Sequence, residues 1–178
     1  ANDVWLLGAM NEVHHYDGTS WSETTVGPVD NWEGIWGSGP SDIYAINVHD
    51  IYHYDGSDWT LLWDGTSERM RTISGSGPDN VMVLSGNSAI MQYNGTDWVS
   101  QLMPGYSGPW GGLSVTSNNH AVAAGANGAV GVYDGSDWSL STPDASRRWT
   151  SLGGDGGVIY AGSSTGNMLK NTGSGWAP

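Results

Sequence analysis

Short apolar runs, each closed off by a cluster of Gly, Asp, Ser or Pro, recur from one end of the chain to the other. The stretch from residue 32 to residue 62 shows the pattern best. Trp32-Glu33-Gly34-Ile35-Trp36-Gly37 predicts a strand, and Gly39-Pro40-Ser41-Asp42 a turn. Ile43 to Ile46 predicts a second strand, Asn47 to Asp50 a turn, and Ile51 to Tyr54 a third strand. Asp55-Gly56 is the dipeptide of a type I′ hairpin turn, which needs positive φ at two successive residues. Trp59 to Leu62 is then the fourth strand. No window of about 11 residues carries a convincing helical period. First strands of the same kind lead with Met70, Trp110 and Trp149, and second strands fall at Val4 to Leu7, Val81 to Leu84, Ala121 to Ala124 and Val158 to Ala161.

The pattern is a repeat. His15-Tyr16-Asp17-Gly18-Thr19-Ser20-Trp21 returns as His53-Tyr54-Asp55-Gly56-Ser57-Asp58-Trp59, as Gln92-Tyr93-Asn94-Gly95-Thr96-Asp97-Trp98 and as Val132-Tyr133-Asp134-Gly135-Ser136-Asp137-Trp138. A worn copy closes at Thr172-Gly173-Ser174-Gly175-Trp176. The closing tryptophans are 38, 39, 40 and 38 residues apart. Antiparallel four-stranded units at that period predict an all-β chain, a β-propeller of about five blades, forming one domain over residues 1–178. The first unit lacks its leading strand, so the chain starts mid-blade and one blade is incomplete. A segment outside this sequence, a strand donated by a neighbouring chain, or a blade of three strands would each account for it.

Composition narrows the function. Eighteen acids against five bases give a net charge of -13, which repels phosphate backbones and argues against nucleic acid and against anionic membrane surfaces. No segment reads as a transmembrane span, and the strand-like opening residues leave no signal peptide, as expected of a mature secreted product. The absence of cysteine removes disulfides, cysteine-zinc sites and thiol nucleophiles together. Trp 11 and Tyr 8 beside Phe 0 supply bulk with a polar handle, which suits both a small β core and contact with sugars.

Gly37-Ser38-Gly39-Pro40-Ser41-Asp42-Ile43-Tyr44-Ala45, followed by the His53 to Trp59 phrase, resembles bacterial secreted repeats of the form WGSGPxDVYAVG…HYDGSxWS. The turn and tryptophan of each copy are also similar to the blades of tectonin, tachylectin-2-like and Photorhabdus-type propeller lectins. The resemblance covers nearly the whole chain. It implies a propeller and, more loosely, the binding of simple sugars in pockets repeated around the ring. No ligand motif of those lectins maps residue by residue onto this sequence.

Candidate binding residues follow from position in the repeat. Trp32, Trp110 and Trp149 lead their strands next to a rim loop, where a flat ring can stack on the apolar face of a sugar; packing between blades is the competing role. Trp36, like Trp5 and Trp63, does not recur, so blade packing did not demand it in every copy. Arg71 and Arg148 flank two of the leading positions, where a guanidinium can donate to sugar hydroxyls or pair with surface acids. The five recurring tryptophans read as packing residues. Asp17, Asp55 and Asp134 read as turn residues, since Asn94 replaces one of them. His15 and His53 share a repeat position with Gln92 and Val132, which excludes a repeated metal ligand there. Calcium on the loop carboxylates is the only cofactor the chemistry leaves open, and no EF-hand or nonapeptide pattern supports it. No nucleophile elbow, phosphate loop or paired-carboxylate spacing is present. The expectation is therefore a non-enzymatic, lectin-like propeller, extracellular or on the cell surface, with glycans as partners. The alternative is an assembly module completed by strand donation from another protein chain.

Overall fold

The protein is described here from a computed structural model, which covers residues 2–65, 69–86, 88–155, 158–173 and 175–177. Among these residues nineteen strands build five antiparallel sheets in chain order. The first sheet has three strands: β1 (Val4–Leu7), β2 (Glu12–Tyr16) and β3 (Trp21–Thr25). The second holds β4 (Trp32–Gly39), β5 (Asp42–Asn47), β6 (Asp50–Tyr54) and β7 (Trp59–Asp64). The third holds β8 (Met70–Gly77), β9 (Asn80–Ser85), β10 (Ala89–Tyr93) and β11 (Trp98–Leu102). The fourth holds β12 (Trp110–Ser117), β13 (His120–Gly125), β14 (Val130–Tyr133) and β15 (Trp138–Ser141), with a 3-10 turn at Ala126–Gly128. The fifth holds β16 (Trp149–Asp155), β17 (Val158–Ser163), β18 (Met168–Asn171) and β19 (Trp176–Ala177). The strands and the incomplete first blade fall where the repeat places them.

The hairpin turns differ from the expectation. In the second blade Tyr54 pairs with Trp59, leaving four residues in the loop rather than two. Only Gly56 has positive φ, at 99°, so the turn is not type I′. The Asp55 side chain closes it instead: Oδ1 accepts the backbone N–H of Ser57 at 2.9 Å and of Asp58 at 3.0 Å. Gly56 is needed because a Cβ there would lie 2.7 Å from the Cβ of Ser41, besides the strained φ. Asp17, Asn94 and Asp134 make the same pair of bonds in their blades. Ser174, in the worn fifth copy, lies outside the described residues.

These backbone bonds hold the carboxyls of Asp17, Asp55 and Asp134 below the usual carboxylate range. A depressed folded pKa contributes stability that is present above the unfolded value, near 3.8, and lost as pH falls through the folded one. The triple variant Asp17→Asn, Asp55→Asn, Asp134→Asn should therefore keep its turns, as Asn94 already does, and lose part of the stability decline below about pH 4. Urea midpoints measured from neutral to acid pH would show this; an unchanged acid limb would refute the assignment.

The core is distributed. Each of the four contacts between successive sheets contains its own cluster of buried side chains. The innermost strands run side by side, β4 against β8, β8 against β12 and β12 against β16, with β1 beside β4. Among the described residues no comparable packing joins the first sheet to the fifth, so the five blades follow one another in an open arc.

Candidate functional site

Every internal junction is made the same way. One side chain of the strand that is second in the repeat, Trp5, Tyr44, Met82 or Val122, lies toward the next blade's outer hairpin, whose tryptophan pairs with a tyrosine in the second, third and fourth blades and with Asn171 in the fifth. Trp5 meets Tyr54 at 4.9 Å and Trp59 at 5.9 Å, and Tyr44 meets Tyr93 at 6.2 Å and Trp98 at 6.4 Å. Met82 shares a cluster with Tyr133 and Trp138, and Val122 shares one with Trp176. A cross-strand polar pair stiffens the forward face: His15 Nε2 lies 2.6 Å from Asp3 Oδ1, and His53 Nε2 lies 2.7 Å from Asp42 Oδ1. In the third blade Gln92 Nε2 donates to Asn80 Oδ1 at 3.1 Å. The histidine position is thus a strand-pairing position, which explains why glutamine serves there. Burial and then the Asp42 carboxylate push the Tyr44 phenol well above its usual range. Burial and Asp50 push Tyr52 up to about 12. Both phenols stay neutral and can donate.

Where the first and second blades meet, the junction opens into a groove of about 400 Å³. Trp5, Tyr54 and Trp59 supply its aromatic surface, and His15, Ser22, Thr24, Ser57 and Asp58 supply polar groups. The His15 ring stacks on Trp5 at 3.9 Å with the planes 9° apart, and its bond to Asp3 fixes the orientation. The indole Nε1 of Trp5 is buried without an acceptor among the described residues. The volume lies within the ~300–1,000 Å³ range of small-ligand clefts, and a few polar groups around aromatic faces are what such clefts need. The same place in the repeat is hollow between the third and fourth blades, where Gln101, Leu102, Ser136, Asp137 and Trp138 line about 240 Å³. There Trp138 Nε1 donates to Gln101 Oε1 at 2.8 Å, which takes up a polar handle.

The residues nominated from sequence are spread from β4, which carries both Trp32 and Trp36, through β8 (Arg71) and β12 (Trp110) to β16 (Trp149, with Arg148 just before it), and do not converge. Trp110 and Trp149 are 0% and 1% exposed, so neither ring offers a face to a ligand; they are packing residues of their junctions. Trp32 is half-buried, donates Nε1 to the Glu12 carbonyl at 2.9 Å and meets Tyr52 edge-on at 5.9 Å, wedging the second blade against the first. Trp36 lines a second, shallower groove with Trp5, Asp3 and Ile43. Arg71 and Arg148 are exposed, with no hydrogen-bond or ion-pair partner among the described residues. Their neighbours Arg69 and Arg147 pair with Glu33 at 3.2 Å and Asp144 at 3.1 Å. Among the described residues no three His, Asp or Glu side chains gather as a metal ion would require. Sequence reasoning missed the groove. The signal it held was Trp5, a tryptophan outside the repeat, but its partners lie up to 54 residues further along.

No protein-family model matches the sequence, and no curated protein matches it. Solved structures do. A catalytically inactive virginiamycin B lyase from Staphylococcus aureus with quinupristin superposes with a TM-score of 0.83 at 13% identity, over 98% of this chain and 65% of that one. YCF48 bound to D1 peptide gives 0.73 at 14% identity, over 99% and 64%. The computationally designed Ika8 protein gives 0.76 at 17% identity, over 96% and 55%. The chain therefore spans two-thirds or less of the length of these proteins. At such identities the likeness shows the fold alone: this chain has the β-propeller fold.

Proposed function

We propose that the chain is a non-catalytic, lectin-like β-propeller of the extracellular space or cell surface, and that the groove between its first two blades holds the sugar. The observation that carries this reading is the groove itself. Trp5, Tyr54 and Trp59 line it beside the hydroxyls of Ser22, Thr24 and Ser57 and the carboxylate of Asp58. A pyranose has one apolar C–H face and a rim of hydroxyls, and this surface complements both. The recurrence of a smaller hollow two blades on fits a repeated, unequal set of sites.

The test is a glycan array probed with the purified chain, with and without calcium. One sugar family should bind. Thr24→Trp, which fills the groove from an exposed strand position and removes no packed residue, should weaken that binding at least about tenfold. A blank array, or a hit that Thr24→Trp leaves unchanged, would overturn the proposal. Assembly by strand donation has its own observation in its favour: β1 pairs with β2 alone, so its other edge is open among the described residues.

A further inference from the structure

The dipeptide Asn-Gly occurs twice, at Asn94-Gly95 and at Asn127-Gly128, and the fold treats the two copies differently. Both asparagines are exposed. In such a pair the glycine backbone nitrogen can attack the asparagine side-chain amide carbon, because the two atoms close a five-membered ring and glycine brings no side chain to obstruct the approach. The reaction needs a glycine N–H that is not held elsewhere, and it gains from donors aimed at the amide oxygen.

Asn94-Gly95 meets both conditions. The Gly95 N–H has no hydrogen-bond partner among the described residues. Asn94 Oδ1 accepts the N–H of Thr96 and that of Asp97, each at 3.0 Å. That oxygen gains negative charge when Cγ is attacked, so the two amides stand as an oxyanion hole formed before any reaction begins. Asn127-Gly128 meets neither condition. Gly128 is buried, and its N–H donates to the Arg147 carbonyl at 2.6 Å. Asn127 Oδ1 accepts no hydrogen bond among the described residues. The hairpins that match the third one carry Asp17, Asp55 and Asp134 in place of Asn94, and these have no amide to lose.

We infer that Asn94 is a self-modifying site of the folded chain, which loses its side-chain amide to water without an enzyme. The Gly95 nitrogen gives its proton to hydroxide and bonds to Asn94 Cγ. The Cγ–Nδ2 bond breaks, and the amide leaves as ammonia with a proton taken from water. Water then opens the cyclic imide at either carbonyl, which leaves aspartate or isoaspartate at position 94. The net change consumes one water, releases one ammonia and adds one carboxyl group. The new carboxylate has an acidic neighbour. A Cβ on Gly95 would lie 2.9 Å from Asp79 Oδ1, whereas the residues in that place beside Gly18, Gly56 and Gly135 are Asn2, Ser41 and Asn119. Conversion therefore sets like charges together in a hairpin where the matching blades pair an aspartate with a neutral residue. The inference is independent of sugar binding, since no residue of the groove takes part.

The purified chain is held at mildly alkaline pH, folded and, in parallel, unfolded in urea, and both sites are followed by peptide mapping with tandem mass spectrometry. In the folded chain Asn94 should convert at least about tenfold faster than Asn127. In urea both are plain Asn-Gly pairs and should convert at about the same rate. Equal rates in the folded chain would overturn the inference. So would an Asn94 that stays intact while the unfolded chain reacts, or the same preference for Asn94 in urea, since the fold would then not be its cause.

Discussion

Trp110→Ala should lower the free energy of unfolding by about 3–5 kcal/mol, the cost of emptying a fully buried indole site. Trp110 opens β12 and fills the junction between the third and fourth sheets, among Met82, Leu84, Ile90 and Tyr133. Its ring stands 4.1 Å from that of Tyr106, and its Nε1 donates to the Ser88 carbonyl at 3.1 Å. Ser88 is itself buried, with φ at 71° and its hydroxyl donated to the Gly108 carbonyl at 2.8 Å. Truncation therefore opens a cavity and strips a buried carbonyl in a constrained loop of its donor, and the two losses add. For a chain of this size the melting temperature should drop by roughly 10–15 °C. Trp110→Phe keeps most of the volume and should cost less than half as much. Trp21→Ala, on an exposed ring of the same residue type, should change unfolding by under about 1 kcal/mol. Urea unfolding followed by tryptophan fluorescence checks all three, and a Trp110→Ala midpoint close to the parent's would refute the packing described here.

Gly112→Val should be nearly as damaging, at about 3 kcal/mol, the upper end for overpacking a close-packed contact. A Cβ on Gly112 would lie 2.8 Å from the Leu152 amide nitrogen and 2.9 Å from the Ser151 carbonyl carbon. Those atoms belong to the backbone of β16, which cannot swing aside as a side-chain tip can. The substitution must push the fourth and fifth blades apart along their innermost strands, loosening the cluster around Trp149. Gly112→Ala should show the same effect at about half the size. Chemical denaturation gives the free energies, and exchange protection of β16 amides locates the damage. A neutral alanine variant would mean that these strands are further apart than described.

The same position in the repeat holds Gly34, Thr72, Gly112 and Ser151. Nothing in that series says where a side chain is forbidden. At Gly34 the nearest atom is a side-chain methyl of Ile73, 3.1 Å away, which can give. At Gly112 it is backbone. The distance between blades, and not the local pattern, sets the requirement.

What the sequence determined by itself was whatever is decided within a few residues. Strands alternate and end at Gly, Asp and Pro clusters because pleat and turn chemistry are local. The Asp side chain at 17, 55 and 134 closes its own hairpin through N–H groups two and three residues on. A period of about 40 residues then fixes the blade, the fold class and the short first sheet. Even here the local signal was incomplete: Asp-Gly pointed to a two-residue turn, and the carboxylate's reach made it a loop of four.

Only the tertiary structure decided which aromatics are buried. Trp21 and Trp138 sit in nearly the same local sequence, yet one is half-exposed and the other is buried, because another blade packs against Trp138 and, among the described residues, none packs against Trp21. From sequence Trp110 and Trp149 are open to either sugar stacking or packing between blades, and the structure makes them core; Trp5 looks like a stray tryptophan and lines the groove. Burial and concavity belong to the contact between blades, which brings residue 5 to residue 59, and no pattern confined to one repeat encodes what the next repeat will cover.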